Sequence, residues 1–330
     1  MRAYAGAHRV AVTTRAPDAD DSFHGLSDPP GARSDDGVPS VGTVVRRCLG
    51  TDVARLISND PVARQGEDVE GVHQARVATR RLRSHLSTFA DVLRTGPTER
   101  LSKDLRWLGR TLGSVRDLDV LRERLAHAVK AIDPLAREDG LALLRRADLE
   151  RGEATVSLEE VLGSERYRSL LERLASSVAA PPFRRSAGLP ADEFLAEAIQ
   201  TRYRALTSAI DALPASPIDT ELHAVRILAK PARYAAEAGS QVLGSRCAKF
   251  AKRVTELCDD LGDLNDGSRV SLWLDVEGAE PSSATTVARV RAIEIGRMAE
   301  ARAAWMITWG RVQSVAAEMG WDEPPPVPAA

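Results

Sequence analysis

The chain has 330 residues, 43% of them hydrophobic and 28% charged, and a formal net charge of −2 at pH 7. That is the composition of a folded soluble protein of two domains, or of one built from two similar halves, and its near balance of charge excludes a generally sticky polycation. No apolar run reaches the roughly 18 residues of a membrane span, residues 1–15 lack the apolar stretch of a secretory signal, and three cysteines (Cys48, Cys247, Cys258) cannot build a disulfide framework, so a cytoplasmic location is expected.

Residues 1–40 mix Pro17, Pro29, Pro30, Pro39, Gly25, Gly31 and Gly37 with aspartates and show no period, which predicts a disordered leader. Beyond it, Ala, Leu, Arg and Glu dominate and apolar residues recur every three or four positions, so the fold class is all-α. Helices are expected over 41–58, 68–94, 98–113, 116–131, 138–150, 164–179, 191–212, 219–238, 244–261, 265–276 and 284–318. The stretch Ala179–Pro190, with Pro181, Pro182 and Gly188, is the clearest break and divides a first half (41–180) from a second (190–318). Residues 319–330, ending in Pro324-Pro-Pro-Val-Pro328, are expected to be a disordered tail.

The break separates two copies of one pattern. His73, Arg76, Arg80 and Arg83 recur as His223, Arg226, Lys230 and Arg233, and Leu112-Gly113 recurs as Leu261-Gly262, 39 and 38 residues after the respective histidine. A helix carrying Arg46-Arg47 precedes the first copy, and one carrying Arg202 and Arg204 precedes the second. Two elements at nearly matching spacing point to an internal duplication.

At about 100° per residue, His73, Arg76, Arg80 and Arg83 share one helix face roughly 15 Å long, with Arg81 off that face. From His73 to Arg110 there are nine Arg or Lys against three acids, and from Glu221 to Arg253 seven against two. Forty of the 45 basic residues are arginine; codon usage of a GC-rich genome explains that abundance, so placement carries the argument. One cationic stripe alone reads as a solvated surface. Two matching stripes, each opposite an apolar face (Val72, Ala75, Val77, Leu82, Leu86, Phe89; Leu222, Val225, Ile227, Leu228), would repel in a packed fold unless an anion lay between them. Phosphate meets that need, each charge-assisted contact being worth about 1.5–3 kcal/mol.

The following helix offers Lys103, Arg106 and Arg110 on one face, with counterparts among Arg246, Lys249, Lys252 and Arg253. Arg116 precedes Asp117 and Asp119, whose simplest role is to cap a helix start, as Asn265-Asp266 would in the second half. His73 and His223 suit helix capping or a phosphate contact; no nucleophile and base surround them, and no companions stand at metal-ligand spacing.

The run Val72-His73-Gln74-Ala75-Arg76 through Arg80-Arg81-Leu82-Arg83 resembles the N-terminal signature of the conserved histidine α-helical domain (CHAD) family. Leu222-His223-Ala224-Val225-Arg226 through Lys230 and Arg233-Tyr234 resembles its C-terminal one. Leu112-Gly113 with Arg116-Asp117, and Leu261-Gly262 through Asp266, also match, and the resemblance spans about residues 41–318. It implies two helical bundles of about four main helices each, related by a pseudo-twofold axis, with a basic central groove that binds inorganic polyphosphate. Family members are associated with polyphosphate granules and are not known as enzymes in their own right. The Glu-x-Glu-x-Lys signature of the triphosphate-tunnel domain that some of them carry is absent, so a stand-alone binder is expected.

The reading is therefore a non-enzymatic polyphosphate-binding protein without cofactor or metal, with granule proteins as further partners. Its phosphate contacts are expected from His73, Arg76, Arg80, Arg81 and Arg83, from Lys103, Arg106, Arg110 and Arg116, and from Arg46 and Arg202. The second copy contributes His223, Arg226, Lys230, Arg233, Lys249, Lys252 and Arg253. Ile227 and Pro231 thin the second stripe, and Pro231 is expected to kink its helix. A nucleic-acid backbone binder ranks second, disfavoured by net charge and scarce aromatics; an enzyme on condensed phosphates ranks third, for want of an acidic metal cluster or glycine-rich phosphate loop.

Overall fold

Side-chain caps fix where the first helices begin. Ser40 accepts from the Thr43 N–H at 3.3 Å, Asp68 from Glu70 at 2.8 Å and Ser164 from Tyr167 at 3.2 Å, while Gly66 closes the first helix with a left-handed φ of 67°. The computed structural model describes residues 37–66, 68–133, 137–277 and 284–321. Its helices are α1 (Val41–Gln65), α2 (Val69–Thr88), α3 (Thr95–Ala131), α4 (Arg137–Gly163), α5 (Glu165–Ala179), α6 (Ala191–Asp211), α7 (Asp219–Glu277) and α8 (Ala284–Glu318). No strand occurs among the described residues, so the chain is all-α as expected. Most of the expected leader lies outside the described residues, but Pro39 and Ser40 are held by hydrogen bonds and a bridge to 189–191. The expected tail begins later than residue 319, since Trp321 is buried against Tyr203 and Phe250; residues 322–330 lie outside the described residues.

Two expected helix breaks are absent. Residues 95–131 form one helix through Gly113, and α7 runs unbroken through 261–265, so Asp117, Asp119 and Asp266 cap nothing. Asp119 is buried and accepts from Arg151 at 2.6 Å; Asp117 pairs with two arginines described below. Pro231 does not interrupt α7 either. Its missing N–H orphans the Ile227 carbonyl, and because Ile227 is 54% exposed, water can serve it. The interruption is at Gly244, with φ 78° and ψ −161°, a conformation open only to glycine.

At Gly244 α7 folds back on itself. Ser268 reaches Asp219 at 2.5 Å, a pair nearly equidistant from the glycine, and nearer the turn the Cys247 thiol donates to the Ala236 carbonyl at 3.3 Å. α2 and α3 make the same helical hairpin around a 3-10 turn at Ala90–Val92. Among the described residues the buried apolar side chains form three hydrophobic cores. The first unites α1–α3, α5 and the end of α4, and takes Ala191, Leu195 and Ala238 from beyond the 180–190 break. The second unites α6, α7 and the end of α8. The third lies where the far ends of α3 and α7 meet α4 and α8, through Leu121, Leu125, Val270, Leu274 and Val290. The 180–190 segment is tied down at both ends: Val41 N donates to Leu189 O at 2.9 Å and Ala191 N to Pro39 O at 3.0 Å. Arg94 N donates to Pro182 O at 2.7 Å and Arg184 N to Val92 O at 2.9 Å.

Candidate functional site

Within each hairpin an arginine of the stripe crosses a glycine of the facing helix. The Arg76 guanidinium lies directly over Gly113, and that of Arg226 lies over Gly262, where a β-carbon would sit 3.4 Å from its Nη2. The matched spacing of the two motifs thus has a steric cause: a flat guanidinium can lie against a helix only where no side chain stands in its way. One partner secures Arg76. Asp117, one turn beyond Gly113, accepts from its Nη2 at 3.2 Å and from Arg269 of α7 at 2.6 Å.

α2 packs against the first segment of α7 (219–243), which brings the two stripes together. Lys230 of α7 sits within the electrostatic reach of Arg226, Arg80 and Arg76. Burial first, and then these three cations, lower its pKa to about 7. Arg76 is likewise held below the ordinary arginine range by burial, with Arg80, Arg269 and Arg226 adding to the effect and Asp117 opposing it. Among the described residues no carboxylate is within ion-pairing distance of Arg80, Arg226 or Lys230, and the Nε atoms of Arg80 and Arg226 are buried without a partner. Asp259 lies near Arg226 and Arg233, its carboxyl raised chiefly by burial. Half-buried His73 stands beside this cluster; burial, and next Arg116, push its imidazole below its usual pKa. Asp68 caps α2, so His73, one turn further in, does not.

The trough between α2 and α3 continues the cationic surface. Arg83 is depressed by desolvation, then by Arg106 and Arg110, and Arg83, Lys103 and Arg106 line a cleft of about 690 Å³ with Glu99, Ser87, Thr95 and Ser102.

Several sequence-predicted contacts are occupied otherwise. Arg81 points away from the cluster, to buried Asp52 at 3.1 Å and to Glu237 of α7, because it projects off the stripe. Glu237 also takes Arg233 at 2.7 Å, Glu256 takes Arg253 at 2.8 Å, and Glu318 of α8 takes Lys249 at 2.8 Å on the outer surface. Arg46 donates to the carbonyls of Val178 and Ala179 at the end of α5, and Arg202 to Ala198 O within its own helix. His223 and Lys252 are exposed on the second hairpin. Sequence reasoning missed Arg269, the buried Tyr234 ring beneath Arg80, Arg81 and Arg233 (5.3–5.9 Å), and the pair Asp52–His85 at 3.0 Å. Asp52 and His85 carry a legible signal, since each falls on the apolar face of its helix, in register with Leu49 and Leu56 and with Leu82 and Phe89.

Two all-α hairpins that set arginines of a His-x-x-Arg stripe across a Leu-Gly pair define a family, and the comparisons identify it. The CHAD domain model matches residues 47–275, and the chain belongs to that family. Two uncharacterized proteins from strains of Mycobacterium tuberculosis are each 29% identical over 233 residues, covering 67% of this chain and 43% of their own length. The chain thus spans less than half of those relatives. The CHAD domain from the plant Ricinus communis superposes with a TM-score of 0.66 at 25% identity, covering 88% of this chain and 97% of that one. PptA from Streptomyces chartreusis shares the fold, with a TM-score of 0.69 at 24% identity over 82% of this chain and 99% of its own. No helix among the described residues is long and apolar enough to cross a membrane.

Proposed function

We propose that this chain binds inorganic polyphosphate between its two hairpins and does not transform it chemically. The observation that carries this reading is the convergence of Arg76 and Arg80 with Arg226 and Lys230, whose buried Nε atoms at Arg80 and Arg226 lack partners. Such a cluster is unfavourable by itself, and a chain of phosphates supplies the missing acceptors to both walls at once. Arg76, Arg80, Arg226 and Lys230 bind the central phosphates; His73 and Arg116 flank them. A cytoplasmic protein with this ligand would join polyphosphate granules through it.

Calorimetry with a short polyphosphate tests the reading. One chain should bind per protomer, and Arg76→Ala and Arg226→Ala should each weaken that single event by about 1.5–3 kcal/mol. Because the two arginines lie in one cluster, their losses should not add. The logarithm of affinity should fall linearly and steeply with the logarithm of salt concentration. Two separable sites, each abolished by only one variant, would reject a shared groove. Duplex DNA competing equally at matched phosphate concentration would favour the nucleic-acid reading, and released orthophosphate would overturn the non-enzymatic one.

A further inference from the structure

The two hairpins match in layout and differ in charge, and the difference gives the site a direction. In the first hairpin Arg83, Lys103, Arg106, Arg110 and Arg116 have no ion-pair partner among the described residues, and Arg83, Lys103 and Arg106 open together into one cleft. A single acid, Glu99, lines it. At the corresponding places of the second hairpin, Arg83 is matched by Arg233, Lys103 by Lys252, Arg106 by Thr255, Arg110 by Asp259 and Arg116 by Asn265. Arg233 is held by Glu237 at 2.7 Å. Asp260 and Asp263 stand beside Asp259 where the first hairpin has Thr111 and Ser114. Leaving the central cluster along the first hairpin, a polyanion meets successive unpaired cations; along the second it meets carboxylates, an arginine already engaged and, at these corresponding places, one exposed lysine, Lys252.

Resting on the polyphosphate reading above, we propose that the bound chain takes a one-sided track. It runs from the Arg76–Arg80–Arg226–Lys230 cluster along the trough between α2 and α3 and leaves through the Arg83–Lys103–Arg106 cleft, with no equivalent exit over the second hairpin. The stripe spacing gives this track its length: from Arg76 to Arg83 the helix rises roughly 10 Å. A short chain is therefore satisfied by the central cluster, and a long one also fills the cleft.

Matched pairs of substitutions in the full chain test the direction. Arg83→Gln with Lys103→Gln removes two charges from the first hairpin, and Arg233→Gln with Lys252→Gln removes the two corresponding charges from the second. Titrations with tripolyphosphate and with a long-chain polyphosphate at about 0.15 M salt screen effects beyond roughly 8 Å, so only near contacts count. The first pair should weaken long-chain binding by about tenfold or more, the scale of one or two lost charge-assisted contacts, and leave tripolyphosphate within about twofold. The second pair should leave both ligands within about twofold, with the helical circular dichroism of both variants unchanged. Equal losses for the two pairs, or a loss confined to the second, would overturn the one-sided track while leaving the polyphosphate reading intact. Failure of the unmodified protein to bind either polyphosphate would overturn both.

Discussion

Asp52→Ala is expected to destabilise the protein by about 3–5 kcal/mol, the cost of breaking a buried ion pair from one side. Asp52 is 1% exposed and accepts from Arg81 Nε at 3.1 Å and from His85 Nε2 at 3.0 Å, with Arg55 3.6 Å away. His85 is buried and its Nδ1 already lacks a partner, so losing the carboxylate strands the whole ring. Arg81 would keep Glu237 and lose its ion pair within the first half. Asp52→Asn retains a hydrogen-bond acceptor and should cost less, about 1–3 kcal/mol. Urea unfolding of the three proteins at neutral pH measures both differences. A loss below about 1 kcal/mol for the alanine variant would show that water reaches and repairs this network.

Polyphosphate affinity should fall as pH rises above 7, by up to about tenfold per pH unit between pH 7 and 9, and Lys230→Met should flatten that slope. In the unliganded protein the Lys230 ammonium titrates near 7 because it is buried among Arg226, Arg80 and Arg76. A phosphate chain offers that ammonium counter-charge and favours the protonated form, so binding must draw a proton from solution whenever the lysine starts neutral. His73, depressed by burial and by Arg116, adds uptake in the same direction below neutrality. The sign for stability is opposite. A lysine whose folded-state pKa lies below the ordinary 10.5 destabilises the fold while charged, so the free protein should gain stability from about pH 7 towards 10.5. Calorimetry in buffers of different ionisation enthalpy counts the protons; binding at pH 8 without proton uptake would show that Lys230 stays outside the phosphate chain.

The stripes were legible in the sequence because helical geometry alone puts His73, Arg76, Arg80 and Arg83 on one face, and the structure sets His73 and Arg76 near Arg80, with Arg83 near Arg106 and Arg110. The neutralised members were only partly hidden. Arg233–Glu237 and Arg253–Glu256 are neighbours at (i, i+4) and (i, i+3), so local spacing applied to the second stripe already removes them. Arg81–Asp52 could not be read this way, since it joins residues 29 positions apart. Glycine misled in a different manner. Gly113 and Gly262, followed by acids, look like helix ends, yet both lie inside continuous helices. Interior glycine costs roughly 0.5–1 kcal/mol relative to alanine, and here that cost clears room for the Arg76 and Arg226 side chains.

The hydrogen bonds that clamp residues 182–191 onto the entry of α1 and onto the α2–α3 turn impose an order on biosynthesis. A nascent chain emerges with its N-terminus first, and domains commonly fold as they leave the ribosome. Here the first bundle still lacks part of its core and its clamps when its own helices are out. Val41 waits for Leu189, the turn at Val92–Arg94 waits for Pro182 and Arg184, and the core lacks Ala191 and Leu195 until α6 follows. A truncated nascent chain ending near residue 180 would hold its helices as a loose, protease-sensitive assembly, and release of the next dozen residues would act as the latch. Such long-range closure slows folding relative to a bundle built from local contacts.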